Sequence, residues 1–340
     1  MVTWRPLWDF DLLDPGGNPI DLWRTLVSHG IASLPPMRLD EDARTLEVTL
    51  RGDGASPRTV RVLEVSRGSG AKRASTPEPP PSGRGRVEVA GRAPGRRATE
   101  ALVATLRYML RLDEDLSAFY ATAARDSRLA WVTRGAGRML RSPTVFEDVV
   151  KTLCTTNCSW SATERMVAAI VEHLGEPAAG AAPTGAAGRA FPTPEAMAGA
   201  SLSFYKDVAR AGYRGPYLLS LARSVADGTV DLERLARARS EELSDDAVAA
   251  QLLALPGIGP YAAAHVMMLV GRCSRLILDS WTRPTYARLV RRRNVADDEI
   301  VRRFRRYEDH AGLAFWLFLT RDWVVEPEQQ QAAAFSETPA

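Results

Sequence analysis

Cysteine is scarce in this 340-residue sequence, and the three that occur are Cys154, Cys158 and Cys273. Three thiols cannot supply the four ligands of an iron–sulfur cluster, so a cluster of that kind is excluded. Cys154 and Cys158 lie four residues apart on one face of a predicted helix, but no histidine stands at a spacing that would complete a zinc site. We therefore predict that the cysteines are core residues.

Long apolar runs and a strong charge excess are also lacking. No apolar stretch approaches the roughly 18 residues of a membrane-spanning helix, and the N-terminus lacks the charged-then-apolar layout of a secretory signal. These absences predict a cytoplasmic protein with no membrane partner. Hydrophobic residues make up 45% of the chain and charged residues 25%, as in ordinary globular proteins, and the net charge of +3 allows a polyanionic partner.

Two parts of the chain differ in their secondary-structure pattern. Residues 45–50 and 59–65 alternate between apolar and polar side chains on either side of a Gly/Asp turn, which predicts an antiparallel β-hairpin. From residue 99 onward, apolar residues recur at helical spacing. The fold class is therefore predicted to be mainly α with an N-terminal α+β domain, in which a small antiparallel sheet precedes a helical domain.

Shifts in composition set the predicted boundaries. The α+β domain is placed at residues 1–100, the helical domain at residues 101–325 and a polar tail at residues 326–340. Within the first domain, residues 66–97 are rich in Gly, Pro, Ser and Arg, which predicts a disordered segment interrupted by one short strand at residues 86–89. The helix at residues 99–112 is expected to pack on the helical domain.

The most informative motif is the sequence LPGIGPY at residues 255–261, which lies between two predicted helices. Its prolines and two glycines allow a tight turn whose free N–H groups point outward, at the positive end of the second helix. Such a helix end can bind an anion. The next acidic residue is Asp279, in the sequence LILDSW at residues 276–281. A phosphate grip with one carboxylate nearby is the combination needed by an enzyme that acts on a DNA sugar.

These residues carry a family resemblance. The LPGIGPY hairpin with a later Asp resembles the helix-hairpin-helix, Gly/Pro-rich, Asp (HhH-GPD) superfamily of DNA glycosylases. Two upstream segments are similar to it as well: RSPTVFE at residues 141–147 followed by LCTTN at 153–157, and AGYRGPY at 211–217. The last of these resembles a helix start shared by 8-oxoguanine and 3-methyladenine glycosylases. The resemblance spans residues 132–324, and it implies the helix-hairpin-helix DNA glycosylase fold with a helical catalytic domain.

The resemblance also implies a function. It points to a monofunctional glycosylase, similar to the bacterial type II 3-methyladenine enzymes, that flips an alkylated purine out of double-stranded DNA and hydrolyses its N-glycosidic bond in base excision repair. Such a protein is expected to be a monomer, associated with the nucleoid if bacterial, without a redox or organic cofactor. Two alternatives remain: a glycosylase for another lesion, such as 8-oxoguanine or a deaminated purine, and a non-catalytic DNA-binding protein.

Asp279 is expected to be the catalytic residue. Cleavage of a purine from deoxyribose passes through an oxocarbenium-like sugar, which a fixed carboxylate can stabilise. The alternative is an N-cap for the helix that starts near Trp281, and both roles are compatible.

Tyr261 occupies the position at which strand-nicking relatives have a Schiff-base lysine, the second residue after the last glycine of the hairpin. No lysine follows Lys206 in the sequence, so we predict no lysine-dependent AP lyase activity. The resemblance places Tyr261 at the border of the base pocket, where it would stack on a cationic alkylated base. The alternative is a tyrosine that is simply packed at a helix start.

Three more residues are expected in the base pocket: Asn157, Trp160 and Trp281. The resemblance places Asn157 near the space that the flipped base leaves, where its amide could pair with the orphaned base. The two tryptophans offer flat apolar surfaces, although a single tryptophan is more often a core residue. Many relatives have a histidine where this chain has Trp281, and Arg283 is the candidate to replace its phosphate contact.

The hairpin completes the expected site. Contacts with the DNA backbone are expected from Gly257, Ile258, Gly259, Tyr261 and Arg283. The resemblance also implies a Na⁺ or K⁺ ion, without side-chain ligands, on the carbonyls of Leu253, Leu255 and Ile258. The basic clusters at residues 291–293 and 302–306 are either phosphate contacts or solvated helix faces.

Overall fold

A computed structural model describes residues 2–52, 55–65 and 83–324. In these ranges five strands form one antiparallel sheet in the order β1-β5-β4-β3-β2, with these bounds: β1 Trp4–Asp11, β2 Met37–Asp40, β3 Thr45–Gly52, β4 Ala55–Val65 and β5 Arg84–Ala90. Val48 lies opposite Val60, and Val60 lies opposite Val89, so the inward positions of three strands form one buried apolar row. The predicted antiparallel sheet and its β3–β4 hairpin are confirmed.

The rest of the described chain is mostly helical, as predicted. The helices are α1 Leu22–Leu26, α2 Arg96–Leu110, α3 Ser117–Ala123, α4 Val145–Thr155, α5 Trp160–Leu174, α6 Pro194–Ala198, α7 Arg214–Ala226, α8 Glu233–Arg237, α9 Asp245–Leu253, α10 Pro260–Leu269, α11 Thr282–Leu289, α12 Asp297–Phe304 and α13 Ala311–Thr320. Thr144 caps α4, because its hydroxyl accepts the Glu147 N–H. No helix in the described part is long and apolar enough to cross a membrane.

The packing of α2 differs from the prediction. Its apolar residues Leu102, Leu106 and Met109 are buried against the inward face of the sheet, in the same core as Val60 and Val87. The reason is that a small sheet with one apolar face needs a helical cover, and α2 follows β5 directly in the chain. The core of the sheet-bearing part therefore extends beyond the predicted boundary at residue 100.

Within the predicted disordered segment, residues 66–97, the short strand predicted at residues 86–89 is confirmed, but ordered structure extends further than predicted. There β5 pairs with both β1 and β4, and α2 begins at Arg96. The alternation of residues 84–90 between polar and buried positions outweighs the flanking Gly, Pro and Arg content. Residues 66–82, the turn residues 53–54 and the predicted tail 326–340 lie outside the described residues.

The helical core is built around α10, whose residues from Ala262 to Leu269 are all buried. It packs against α4 and α9, while α13 is buried along its whole length. A helix that is apolar on every side must lie inside a domain. Cys154 and Cys273 are buried in this core as predicted, and Cys158 is half-buried at its edge.

Asp148, in the first turn of α4, carries a pH-dependent contribution to stability. Its Oδ1 accepts the Ser142 N–H at 3.1 Å, its Oδ2 has no partner in the described ranges, and burial raises its pKa to about 7. A carboxyl group whose pKa is raised by folding makes its full contribution to stability at pH values below the pKa of the same group in the unfolded chain. This contribution is lost as the pH rises through 7.

We therefore compare the free energy of unfolding of Asp148→Asn with that of wild type. We expect the difference to shift in favour of the variant by about 2–3 kcal/mol as the pH rises from 5 to 8. Urea unfolding of both proteins at each pH measures this difference. The comparison at equal pH cancels the opposite contribution of the buried histidines, whose pKa values are lowered. A difference that does not change with pH would contradict the assignment.

Candidate active site

The hairpin between α9 and α10 is a tight turn packed against two other helices. The Ile258 N–H donates to the Leu255 carbonyl at 3.1 Å, and Gly257 has a φ of 79°, as expected for the third residue of a type II turn. A Cβ on Gly257 would lie 2.6 Å from Cδ2 of Tyr217 and 2.9 Å from Cδ1 of Leu153. The turn is therefore seated directly on α7 and α4.

Three hairpin N–H groups remain free. Those of Gly257, Gly259 and Tyr261 donate to no acceptor in the described part of the chain. The prediction that Ile258 also contributes meets a difficulty, because its N–H already closes the turn. The free groups surround the N-terminus of α10, where the helix dipole adds partial positive charge. This arrangement suits an anion.

The carbonyls of the predicted cation ligands accept few hydrogen bonds. Within the described ranges the carbonyls of Leu253 and Ile258 accept no hydrogen bond, while the Leu255 carbonyl accepts only the turn bond from Ile258. Carbonyl oxygens with free lone pairs fit a hard monovalent cation. No group of three or more His, Cys, Asp or Glu side chains suited to a metal ion occurs in residues 2–52, 55–65 and 83–324.

Asp279 lies just before α11 and is held by the backbone. Its Oδ1 accepts the N–H groups of Trp281 at 2.8 Å and Thr282 at 2.6 Å, and the Asp279 N–H donates to Oγ1 of Thr282 at 2.8 Å. Asp279 therefore has the capping role that sequence reasoning offered as an alternative. Its Oδ2 accepts no hydrogen bond in the described part of the chain, so one carboxylate oxygen is left for another partner.

Tyr261 lies at the start of α10 and reaches the end of α4. The Tyr261 hydroxyl lies 3.3 Å from Oγ1 of Thr155. Burial raises the pKa of Tyr261, and the charge of Asp279 raises it further, so the phenol is neutral. The charge of the predicted catalytic residue therefore acts on the first residue of the predicted pocket.

An aromatic cluster extends from Tyr261 and contains residues that the sequence reasoning missed. Its ring-to-ring contacts are Tyr261–His265 at 6.0 Å, His265–Trp316 at 6.4 Å, Trp281–Trp316 at 5.7 Å and Trp281–Trp323 at 5.7 Å. Trp281 and Trp323 are partly exposed, whereas Trp316 is buried and donates its indole N–H to the Ser28 carbonyl at 2.8 Å. The structure thus brings Tyr261 and Trp281 to one aromatic surface.

His265 lies one turn after Tyr261 and is buried. Neither of its ring nitrogens has a hydrogen-bond partner among the described residues. Burial lowers its pKa to about 4, so the imidazole is neutral at physiological pH. It stands edge-on to His29, whose Nε2 donates to the Leu140 carbonyl at 2.7 Å.

Trp160 lies apart from this cluster. It is exposed at the start of α5, and its ring is 3.3 Å from the point where a Cβ on Gly30 would stand. No ring contact joins it to Tyr261 or Trp281 in the described part of the chain. Trp160 therefore packs over the backbone of the sheet-bearing part. In the described part of the chain, no ring contact supports its predicted role in the base pocket.

Asn157 has a partner from the upstream AGYRGPY motif. Its Nδ2 donates to the Tyr213 hydroxyl at 3.2 Å, and both side chains are exposed. The next residue, Arg214, is buried and donates to the carbonyl of Thr156 and, at 3.3 Å, to its Oγ1. The motif thereby fixes the loop that presents Asn157, and Tyr213, which belongs to the motif, is the hydrogen-bond partner of Asn157.

Arg283 and most of the basic clusters are paired. Arg283 makes a bidentate ion pair with Asp297, at 2.7 and 2.8 Å. Arg303 and Arg306 both bind Asp126, so part of the second cluster holds the fold together. Three exposed arginines of these clusters have no carboxylate partner in the described ranges: Arg291, Arg293 and Arg305.

The fold is that of the helix-hairpin-helix DNA glycosylases. It is similar to a 3-methyladenine DNA glycosylase from Archaeoglobus fulgidus, with a TM-score of 0.66 and 19% identity over 94% of this chain and 100% of that one. It is also similar to a Clostridium acetobutylicum 8-oxoguanine glycosylase/lyase in complex with double-stranded DNA, with a TM-score of 0.64 and 17% identity over 96% of this chain and 99% of that one. No protein-family model matches the sequence, and no curated protein matches it.

Proposed function

We propose that this protein is a DNA glycosylase that removes a damaged base from double-stranded DNA by hydrolysis. The observation that carries the proposal is the position of Asp279: two backbone N–H groups hold its Oδ1, its Oδ2 has no partner in the described part of the chain, and its charge acts on Tyr261 at the start of α10. The same helix start carries free N–H groups that suit a phosphate. The similar solved structures include glycosylases for alkylated and for oxidised purines.

Asp279 is proposed to stabilise the sugar cation. Breaking the N-glycosidic bond leaves positive charge on deoxyribose, and a carboxylate already fixed in place stabilises that charge without reorganising. The two backbone N–H groups at Oδ1 hold the carboxyl group and leave Oδ2 to face the sugar. Water then attacks the cation, and the products are the free base and an abasic site.

The N–H groups of Gly257, Gly259 and Tyr261 are proposed to bind one phosphate next to the lesion. A neighbouring Na⁺ or K⁺ on the carbonyls of Leu253, Leu255 and Ile258 would add positive charge to this turn. Asn157 and Tyr213 are exposed on the loop fixed by Arg214, where they could fill the space left by the flipped nucleotide.

An alkylated purine is the proposed lesion. Tyr261, Trp281 and Trp323 offer electron-rich faces, and stacking on a cationic base contributes about 0.5–2 kcal/mol. The phenol and the His265 imidazole are both neutral, so neither repels a positive charge. A base that is already cationic leaves readily, so its release needs little acid catalysis from the protein.

Hydrolysis without strand nicking is proposed from the residue at the hairpin and from the two lysines in the described part of the chain; Lys72 lies outside the described residues. Lys151 is fully buried and paired with Glu147 at 2.7 Å, and Lys206 belongs to a π-helical turn at Phe204–Val208. Tyr261 occupies the position of the Schiff-base lysine and has no amine. We therefore propose that the enzyme releases the base and leaves the abasic strand intact.

The test is base release from four duplexes, carrying 3-methyladenine, 7-methylguanine, hypoxanthine or 8-oxoguanine. We expect release of the two alkylated purines, with nicks that appear only after alkali. Release of 8-oxoguanine or hypoxanthine instead would replace the proposed lesion, and nicks before alkali would contradict the absence of lyase activity. Tight binding without release of any base would favour the DNA-binding alternative, in which Asp279 only caps α11.

A further inference from the structure

A second basic site lies at the C-terminal end of α10, away from the hairpin. It is a cleft of about 440 Å³ whose walls include Tyr108 and five arginines, namely Arg107, Arg111, Arg141, Arg239 and Arg272. So many guanidinium groups around one cleft repel each other unless anions are present.

Three of the five arginines have a carboxylate partner. Arg107 pairs with Asp113, Arg111 with Glu114, and Arg272 with Asp245 at 3.2 Å. Arg141 and Arg239 have no carboxylate within ion-pair distance in the described part of the chain. The cleft therefore carries an uncompensated positive charge on two side chains.

Arg111 and Arg141 are held in fixed orientations. Nε of Arg141 donates to the Leu269 carbonyl at 2.6 Å, and its guanidinium lies over the Tyr108 ring at 4.8 Å. Arg111 is buried and donates through Nη1 to the Met268 carbonyl at 3.1 Å. These bonds use the last carbonyls of α10 as anchors, because cations are favourable at a helix C-terminus.

The two guanidinium groups converge above Gly271. A Cβ on this residue, whose φ is 93°, would lie 2.8 Å from Nη2 of Arg141 and 3.2 Å from Nη2 of Arg111. The absence of a side chain thus lets both guanidinium groups approach the backbone of Gly271 closely. The Nε–H group of Arg141 donates to a carbonyl at the end of α10, but neither of its Nη groups has an acceptor in the described ranges. Burial and the neighbouring Arg111 lower the pKa of Arg141 to about 10.

We propose that this cleft binds a phosphate group between Arg141 and the exposed Arg239, beside the buried Arg111. The guanidinium groups of Arg141 and Arg239 have no carboxylate partner in the described ranges and match the several oxygens and the double charge of a phosphate. A bound anion would also relieve the repulsion between Arg141 and Arg111, whose own Nε and Nη2 are bound to Glu114. The phosphate belongs to inorganic phosphate, a nucleotide or the DNA backbone. This proposal does not depend on the glycosylase activity.

The test is calorimetric titration of the full-length protein with inorganic phosphate at constant ionic strength. We expect one site per chain, and Arg141→Gln should weaken binding at least about tenfold, since a charged hydrogen bond is lost. Arg239→Gln changes an exposed residue, so it should weaken binding without disturbing the fold. Arg125→Gln changes an exposed arginine outside the cleft that has no carboxylate partner in the described ranges, so it is the matched control and should bind like wild type.

Circular dichroism establishes that each variant is folded. Absence of phosphate binding by wild type, or equal binding by wild type and both cleft variants, would overturn the proposal. Competition identifies the source of the phosphate. Displacement by lesion-free duplex, together with a salt slope that falls by about one in Arg141→Gln, supports a DNA phosphate. Displacement by a nucleoside monophosphate alone supports a small-molecule ligand.

Discussion

Asp279→Asn is expected to lower the single-turnover rate of base release by about 10²–10³-fold, as for the loss of one preorganised electrostatic contact. Asparagine keeps the Oδ1 acceptor for the N–H groups of Trp281 and Thr282, so the start of α11 should be preserved. What is lost is the negative charge on Oδ2. Affinity for the lesion duplex and thermal stability should therefore remain close to wild type.

Asp227→Asn is the matched control for this experiment. Asp227 also accepts a backbone N–H through Oδ1, from Thr229 at 2.9 Å, but it lies at the end of α7. It should release base at the wild-type rate. Asp279→Ala separates the two roles further, because loss of the cap should cost about 1 kcal/mol of stability in addition to activity. Wild-type turnover in Asp279→Asn would show that Asp279 only caps the helix.

The fold and part of the site were predictable because local patterns carry them. The alternation around residues 45–65 predicts the hairpin, and its inward valines then pair in the sheet. The LPGIGPY motif predicts both the turn and the free N–H groups. Proline fixes its own φ and glycine permits a positive φ, and a type II turn needs these two properties at its second and third residues. Asp279 follows because it is the first carboxylate after that motif.

The missed residues depend on long-range packing. Trp316 lies in α13, which is apolar on every side, so nothing in its neighbourhood distinguishes a pocket wall from core. Its ring meets Trp281 only because α11 and α13 pack together. The ion pairs of Arg283 with Asp297 and of Arg306 with Asp126 could not be predicted from the sequence either. A run of charged residues does not show which of its members form ion pairs in the folded chain.

One helix connects most of these observations. The N-terminus of α10 carries the hairpin and Tyr261, its middle carries His265, and its last carbonyls bind Arg111 and Arg141. Burial on every side fixes its position between α4 and α9. A substitution that displaces either end of α10 should therefore change the geometry of the candidate site. The hairpin end should be the more sensitive to substitution, because a glycine there touches two neighbouring helices.

Gly257→Ala should accordingly lower the free energy of unfolding by about 2–4 kcal/mol, from a positive φ and an overpacked contact. The new methyl group would stand 2.6 Å from Tyr217 and 2.9 Å from Leu153, so the turn must move. The N–H groups of the proposed phosphate grip move with it. Affinity for a lesion-free duplex should therefore fall as well, and the two effects can be measured by urea unfolding and fluorescence anisotropy.

Gly259→Ala provides the control two residues away in the same hairpin. Gly259 has a φ of −98°, and a Cβ there meets no atom within 4 Å, so stability should stay within about 0.5 kcal/mol of wild type. Any loss of duplex affinity in this variant then comes from DNA approaching the backbone closely, not from a displaced turn. A destabilised Gly257→Ala protein that bound the duplex as tightly as wild type would argue against the hairpin as the phosphate grip, because its donors would have moved without consequence.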